Sequence, residues 1–315
     1  MDARAPEHDR ETWVLPVGTQ VVAVVPVRAG QDELAAGSTG VIVEAPVDPT
    51  HSYRVRFVEG HEASLRRDEL AVKKELQREG LLGPDARLVD RGLERFVIYR
   101  CVIGSRAYGL EGEGSDTDRR GIYLPPAALH WSLRGVPEQL EDPVTRDCYW
   151  ELQKFVVLAL KANPNVLECL WTPLVEHATP LARELLALRG AFLSKLVYVT
   201  FNGYVLSQFR KLEQDLRARG APRWKHAMHL VRLLLSGAEL LRTGELPVRV
   251  GEHRERLLAV KRGEVPWEEL EAWRAALHAA FDAAHAASPL PERPDAERVD
   301  AFLLRARREM VNVGD

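Results

Sequence analysis

Asp116 and Asp118 are the residues whose types and spacing most plainly suggest chemistry. They stand two apart at the head of an apolar segment, and residues two apart on a strand point to the same face. A close carboxylate pair is costly unless a cation occupies it. Mg²⁺, or Mn²⁺ in its place, favours hard oxygen ligands together with substrate phosphates. Upstream, a hydrophobic run ends in Gly104 and Ser105. Glycine permits close backbone approach to a phosphate, and a backbone N–H with the Ser105 hydroxyl can hold phosphate oxygens. In-line attack on a triphosphate calls for a second metal, and hence for a third carboxylate on a neighbouring strand. Asp147 stands where that strand should lie, with Glu151 as the fallback.

The elements that must position these groups can be read around them. FVIYRCVIGS reads as a strand, a Gly-rich loop follows, and TDRRGIYLP reads as a second strand. Residues 128–142 read as irregular, and a third strand is expected around Asp147. ELQKFVVLALKA is helical by its apolar spacing, and Asn163-Pro164 stops it. NPNVLECLW is expected to be a short helix packing Val166, Leu167 and Leu170 inward. From about residue 181 nearly everything is helix-like, with breaks expected near Gly190 and Gly220.

Residues 13–72 have a different texture. VVAVVPV, TGVIVEAPV, SYRVRFVEG and EASLRRDEL are short β-branched runs punctuated by Gly, Pro, Asp and Ser. They predict a small SH3-like barrel. Its GSTGVIVE segment resembles barrels that bind RNA or ribosomal partners; a packing or protein-interaction module is the other reading. Residues 1–12 read as a loose arm and 73–84 as a linker, with a short helix over 73–83. Two further domains are expected, over 85–190 and 191–315.

Of the 315 residues 46% are hydrophobic and 28% charged, with a net charge of −3. That is a soluble globular profile without a global basic field, although local basic patches can exist. Cys101, Cys148 and Cys169 form no C-x-x-C pair, which argues against a zinc ribbon or disulfide framework and fits a reducing cytosol. The charged start MDARAPEHDR is unlike a signal peptide, and no apolar run of spanning length exists. A cytoplasmic protein without membrane attachment is expected.

The pattern GS…SDTD resembles the active-site signature of the DNA polymerase β-type nucleotidyltransferase superfamily. The longer string GSRAYGLEGEGSDTDRRGIY, with KFVVLALKANPNVLECLW and KHAMHLVRLLLSGAELLRTG in that order, resembles the bacterial nucleotidyltransferases grouped with RNA-repair pathways and often associated with RNA ligases. The resemblance spans roughly residues 90–265. It implies a mixed-sheet nucleotidyltransferase domain, which with the SH3-like barrel and the helical domain read from the residues makes an α+β chain. It also implies Mg²⁺-dependent transfer of a nucleoside monophosphate from an NTP to an acceptor, an RNA end in RNA repair. Residue by residue, Gly104 and Ser105 match the phosphate-holding pair, Asp116 and Asp118 the metal carboxylates, and Arg120 a basic position that would touch phosphate. A structural ion pair is the other reading of Arg120, and Arg106 and Arg119 are expected at the solvated surface.

Lys225, His229 and Arg232 fall at i, i+4 and i+7 on one helical face. Such a face could meet triphosphate or RNA backbone, or simply be solvated. His226 and His229 lack the further ligands a zinc site needs. Asn163 is expected at a helix end; Glu168 could orient a base or a basic side chain, although a structural role is commoner. Phe201 and Tyr204 could stack a base, although core packing is commoner. The NTP used and the acceptor stay open: a protein or small molecule could replace RNA. A nucleotide-sensing protein without catalysis is the reading from another class. The group beside the two aspartates separates these readings, since an acid there favours catalysis and a basic or apolar side chain favours sensing.

Overall fold

Alternation at Tyr53, Val55 and Phe57 puts three apolar side chains on one face of a strand and arginines on the other. In the computed structural model, which describes residues 15, 17–29, 32–46, 52–58, 60–74, 76, 92–112, 114–133, 135–142, 145–219 and 222–313, that face is buried. The chain divides into two compact units, residues 1–89 and 90–315. In the first, β1 (Gln20–Ala23), β4 (Thr39–Glu44), β5 (Tyr53–Phe57), β6 (Glu62–Leu65) and β7 (Leu70–Val72) form an antiparallel sheet in the order β6-β5-β4-β1-β7. The strands β2 (Val27–Ala29) and β3 (Asp32–Leu34) pair separately. Val21, Ile42, Tyr53, Val55, Phe57 and Leu65 make its core. Among the described residues no ladder joins β6 to β7, so the expected barrel is an open sheet here. The reason lies in the pairing: β5 takes one edge of β6, β1 takes one edge of β7, and the outer edges do not meet. The arm over 1–12 and most of the expected linker helix lie outside the described residues.

The second unit is built on a mixed sheet of order β10-β11-β9-β8-β12. Its strands are β8 (Val97–Ile103), β9 (Asp118–Tyr123), β10 (Gln139–Glu141), β11 (Cys148–Glu151) and β12 (Val175–Ala178). The only parallel pair among them is β9 with β11, and the chain crosses between these two through residues 124–147. That crossover, expected to be irregular over 128–142, carries helix Ala127–Trp131 and strand β10. A strand with one apolar residue, Leu140, leaves little periodicity to read. The strand β12 likewise has no buried alternation and shows no strand pattern in sequence. Gly121 is a packing requirement of the sheet. A Cβ there would come within 1.9 Å of the Tyr99 carbonyl oxygen on β8.

The helices are α1 (Gly104–Tyr108), α2 (Ala127–Trp131), α3 (Leu152–Leu160), α4 (Pro164–Trp171), α5 (Pro180–Ala187), α6 (Leu196–Arg219), α7 (Trp224–Thr243), α8 (Arg254–Lys261), α9 (Trp267–Ala286) and α10 (Ala296–Glu309). Asn163 begins α4 as a side-chain cap on Val166 N–H at 3.3 Å, with Pro164 in the first turn. Thr179 does the same for α5. Gly244, left-handed, ends α7. One core runs from Tyr99 and Cys101 on β8 through Phe155, Phe192, Phe201, Leu234 and Phe281 to Phe302 on α10, so the helices beyond residue 191 pack in the same core as the sheet. Among the described residues no helix is long and apolar enough to cross a membrane.

Candidate active site

The strand β8 delivers the chain to Gly104, whose φ of +73° is the left-handed conformation that favours glycine. Pairing of β8 with β9 sets Ile103 opposite Asp118. The Asp118 carboxylate therefore lies against the Gly104 backbone, and a Cβ built on Gly104 would stand 2.4 Å from Asp118 Oδ2. The dihedral demands glycine, and a Cβ would have to push the Asp118 carboxylate aside. Ser105 follows, half-buried, its carbonyl accepting from Leu110 N–H at 2.8 Å.

Asp116 precedes β9 and lies in the loop. That loop is shaped locally. Ser115 Oγ accepts from Gly112 N–H at 2.8 Å, and Arg106 donates to the carbonyls of Ser115 at 2.9 Å and Asp116 at 3.3 Å. From the helical side, Arg254 donates to the Gly109 carbonyl at 2.8 Å and Val250 N–H to the Tyr108 carbonyl at 3.1 Å. The Asp116 side chain is 78% exposed, and its Oδ2 faces a guanidinium nitrogen of Arg146 at 3.7 Å.

Register decides where Asp147 goes. Cys148 lies level with Arg120, so Asp147 falls level with Arg119 and shares its face of the sheet, opposite to that of Asp118 and Arg120. Asp147 Oδ2 accepts from the Tyr149 hydroxyl at 3.1 Å, and Oδ1 is buried with no hydrogen-bond partner among the described residues. Asp147 lines a cavity of about 300 Å³ with Arg100, Arg119, Tyr149 and Glu176; neither Asp116 nor Asp118 lines it. Arg119 is fixed there by Glu176 at 2.8 Å. Glu151 is further still. It caps α3 at Gln153 N–H and pairs with Arg307 at 2.6 Å. The structure thus brings Gly104 and Asp118 together with Asp116 in the adjoining loop, and leaves both expected third acids on the other side.

Two carboxylates beside a glycine wall fit one Mg²⁺, which is held by one or two carboxylates plus substrate phosphates. Among the described residues no three acids, imidazoles or thiols gather to hold a metal. The cation beside Asp116 is instead Arg146, a residue that sequence reasoning missed. Its φ of +61° is rare for a non-glycine and has no signature in sequence. Its carbonyl accepts from Arg120 Nη1 at 2.8 Å, as does that of Arg119. Arg120 therefore meets backbone oxygens, neither a carboxylate nor a free face.

The expected basic face of α7 separates on folding. Lys225 is exposed in the first turn. Arg232 is buried and pairs with Glu168 of α4 at 2.7 Å. It lies over the Tyr108 ring, 3.7 Å from the centroid, and the Tyr108 hydroxyl donates to Glu168. Burial opposes the charge on Arg232, yet Glu168 and Tyr108 hold its pKa above the ordinary value. His229 meets Tyr108 edge-on, and burial first, then Arg232 and Lys225, pushes its pKa down to about 3. This network grips the last residue of α1, four positions after Gly104. Its trace in sequence is a lone acid among Val166, Leu167, Cys169 and Leu170, and a lone arginine among Leu230, Val231, Leu233 and Leu234; the reading of Glu168 as orienting a basic side chain does not name Arg232 as that partner. Each charge inside an apolar face calls for the other. Phe201 is core, and Tyr204 is partly exposed on α6.

Residues 54–305 match the RlaP family model, described as "RNA repair pathway DNA polymerase beta family". A protein of Bacillus subtilis (strain 168), described as "Uncharacterized protein YcgL", is 35% identical over 98 residues. That match covers 30% of this chain and 37% of the relative's own length.

Proposed function

From the premise that the chain belongs to the RNA repair pathway DNA polymerase beta family, we propose that it is an NTP-dependent nucleotidyltransferase moving a nucleoside monophosphate to an RNA end. The observation that carries this is the Asp118 carboxylate packed on left-handed Gly104, with Ser105 next in the chain and Asp116 two residues before Asp118 in the loop. Gly104 leaves room for the Asp118 carboxylate against the backbone, and the Ser105 hydroxyl beside it would hold a phosphate oxygen. Mg²⁺ held by Asp116 and Asp118, with Mn²⁺ able to replace it, would neutralise charge on the triphosphate and on the leaving pyrophosphate. The lining of α1 by Tyr108, Glu168 and Arg232 keeps the Gly104 wall in place under that charge. Of the predicted basic face, Lys225 is the member exposed to meet phosphate. The N-terminal sheet, read as SH3-like, would recruit the RNA or a repair partner such as an RNA ligase.

A nucleotide-sensing protein is the second reading. The basic group beside Asp116 and the displacement of Asp147 to the other face favour it. One experiment separates the two. Each labelled NTP is offered with Mg²⁺ or Mn²⁺ to an RNA pool, a protein pool and small alcohols. Transfer to RNA that vanishes in the double variant Asp116→Ala/Asp118→Ala, with the fold retained, supports the enzyme. Undiminished transfer by that variant removes these residues from the chemistry. Saturable NTP binding without transfer to any acceptor leaves the sensor.

A further inference from the structure

Two guanidiniums meet Asp116, those of Arg106 and Arg146, and Arg120 holds the Arg146 carbonyl. Arg106 meets the carbonyls of Ser115 and Asp116, and Arg120 those of Arg119 and Arg146. Among the described residues neither pairs with a carboxylate. Arg146 does, at 3.7 Å from Asp116, with the two side chains 61% and 78% exposed. Arg146 is also one of two non-glycine residues with positive φ among the described residues. Such backbone is retained where it aims a group. Here Arg120 holds the Arg146 carbonyl, and the turn sends the Arg146 side chain to Asp116 while Asp147 points to the opposite face.

We infer that Arg146 is a triphosphate-binding residue whose guanidinium exchanges from Asp116 to the phosphates of an incoming nucleotide. The inference rests on the reading of Asp116 and Asp118 as the pair that faces the nucleotide. An exposed ion pair of this length contributes little and exchanges readily. A guanidinium fork on phosphate is shorter, bidentate and stronger. The exchange links two events: the phosphate gains a cation as Asp116 loses one, so triphosphate binding frees the Asp116 carboxylate.

The test is equilibrium binding to the full chain in EDTA, with inorganic triphosphate, ATP and AMP as probes. Arg146→Gly accommodates the left-handed backbone, so the carbonyl that Arg120 holds stays in place. It should weaken triphosphate and ATP binding roughly tenfold, as loss of a charged hydrogen bond does, and leave AMP unchanged. Arg146→Lys should lose less. Asp116→Asn should strengthen binding, and that gain should shrink in the Arg146→Gly background, because the two residues compete for one partner. Equal triphosphate affinity of Arg146→Gly and wild type overturns the inference, and so does an Asp116→Asn gain of the same size in both backgrounds. A wild type that transfers nucleotide while Arg146→Gly matches it in affinity would remove Arg146 alone and leave the nucleotidyltransferase reading standing. A wild type that binds neither inorganic triphosphate nor any of the four NTPs, with or without Mg²⁺, would sink both.

Discussion

Two arginine–carboxylate pairs flank the glycine turn, and they are built on opposite principles. Arg232 and Glu168 meet at 2.7 Å with side chains 8% and 3% exposed, roofed by Tyr108. Arg146 and Asp116 meet at 3.7 Å in water. The buried pair cannot be parted cheaply, because each charge left alone inside the core has no solvent to take it. The exposed pair parts freely. The difference teaches a division of labour: the helical side of the molecule holds Gly104 and α1 rigid, and the loop side presents groups that can change partners.

The largest effect should come from the buried pair. Glu168→Ala leaves Arg232 and the Tyr108 hydroxyl without their partner, and a loss of about 3–5 kcal/mol is expected in urea unfolding. A loss under about 1 kcal/mol would erase the contrast between the pairs.

The next effect is a pH dependence from the same network. The pKa of His229 lies near 3 in the fold and near 6.5 in the unfolded chain, so between these values the unfolded chain binds the extra proton. The stability that His229 contributes is therefore fully present above pH 6.5 and lost as pH falls toward 3. The contribution of His229 approaches about 1.4 kcal/mol per pH unit within that window. His229→Gln should flatten the slope of unfolding free energy against pH there; an unchanged slope would show that the ring is not held neutral.

Gly104→Ala comes third. The left-handed backbone alone costs about 1–2 kcal/mol in an alanine. The added methyl must also displace the Asp118 carboxylate, so nucleotide transfer should fall further than stability does. Parallel activity and melting measurements check this, and an alanine variant with unimpaired transfer would contradict the proposed phosphate wall.

The smallest effect belongs to the exposed pair. Arg146→Gly and Asp116→Asn should each change unfolding free energy by less than about 1 kcal/mol, while altering triphosphate affinity. A large destabilisation by either would make the pair structural and sharpen the comparison in the other direction.

Much of this could be read in the residues themselves. The punctuated β-branched runs of the N-terminal unit, the strands either side of the Gly-rich loop, α3, and α4 with its Asn163 cap follow from periodicity and end signals. β10 and β12 did not, since their side chains carry almost no alternation and their pairing is decided by neighbours. The closure expected of the N-terminal sheet also lay beyond sequence, because alternation reports a buried face and not which edges meet.

Gly104, Ser105, Asp116 and Asp118 are close in sequence, so spacing alone brought them to one place: a strand end, a glycine and a returning strand are local chemistry. Asp147, Glu151, Arg146, Arg232 and Glu168 depended on long-range geometry. A single step of register sends a strand residue to one face or the other, and a left-handed Arg146 redirects its own side chain. Whether the face of α7 is wet or buried depended on α4 and α1 packing over it. The sequence determined the chemistry gathered at the glycine turn; only the tertiary structure decided which arginine is locked in the core and which is left free to meet a phosphate.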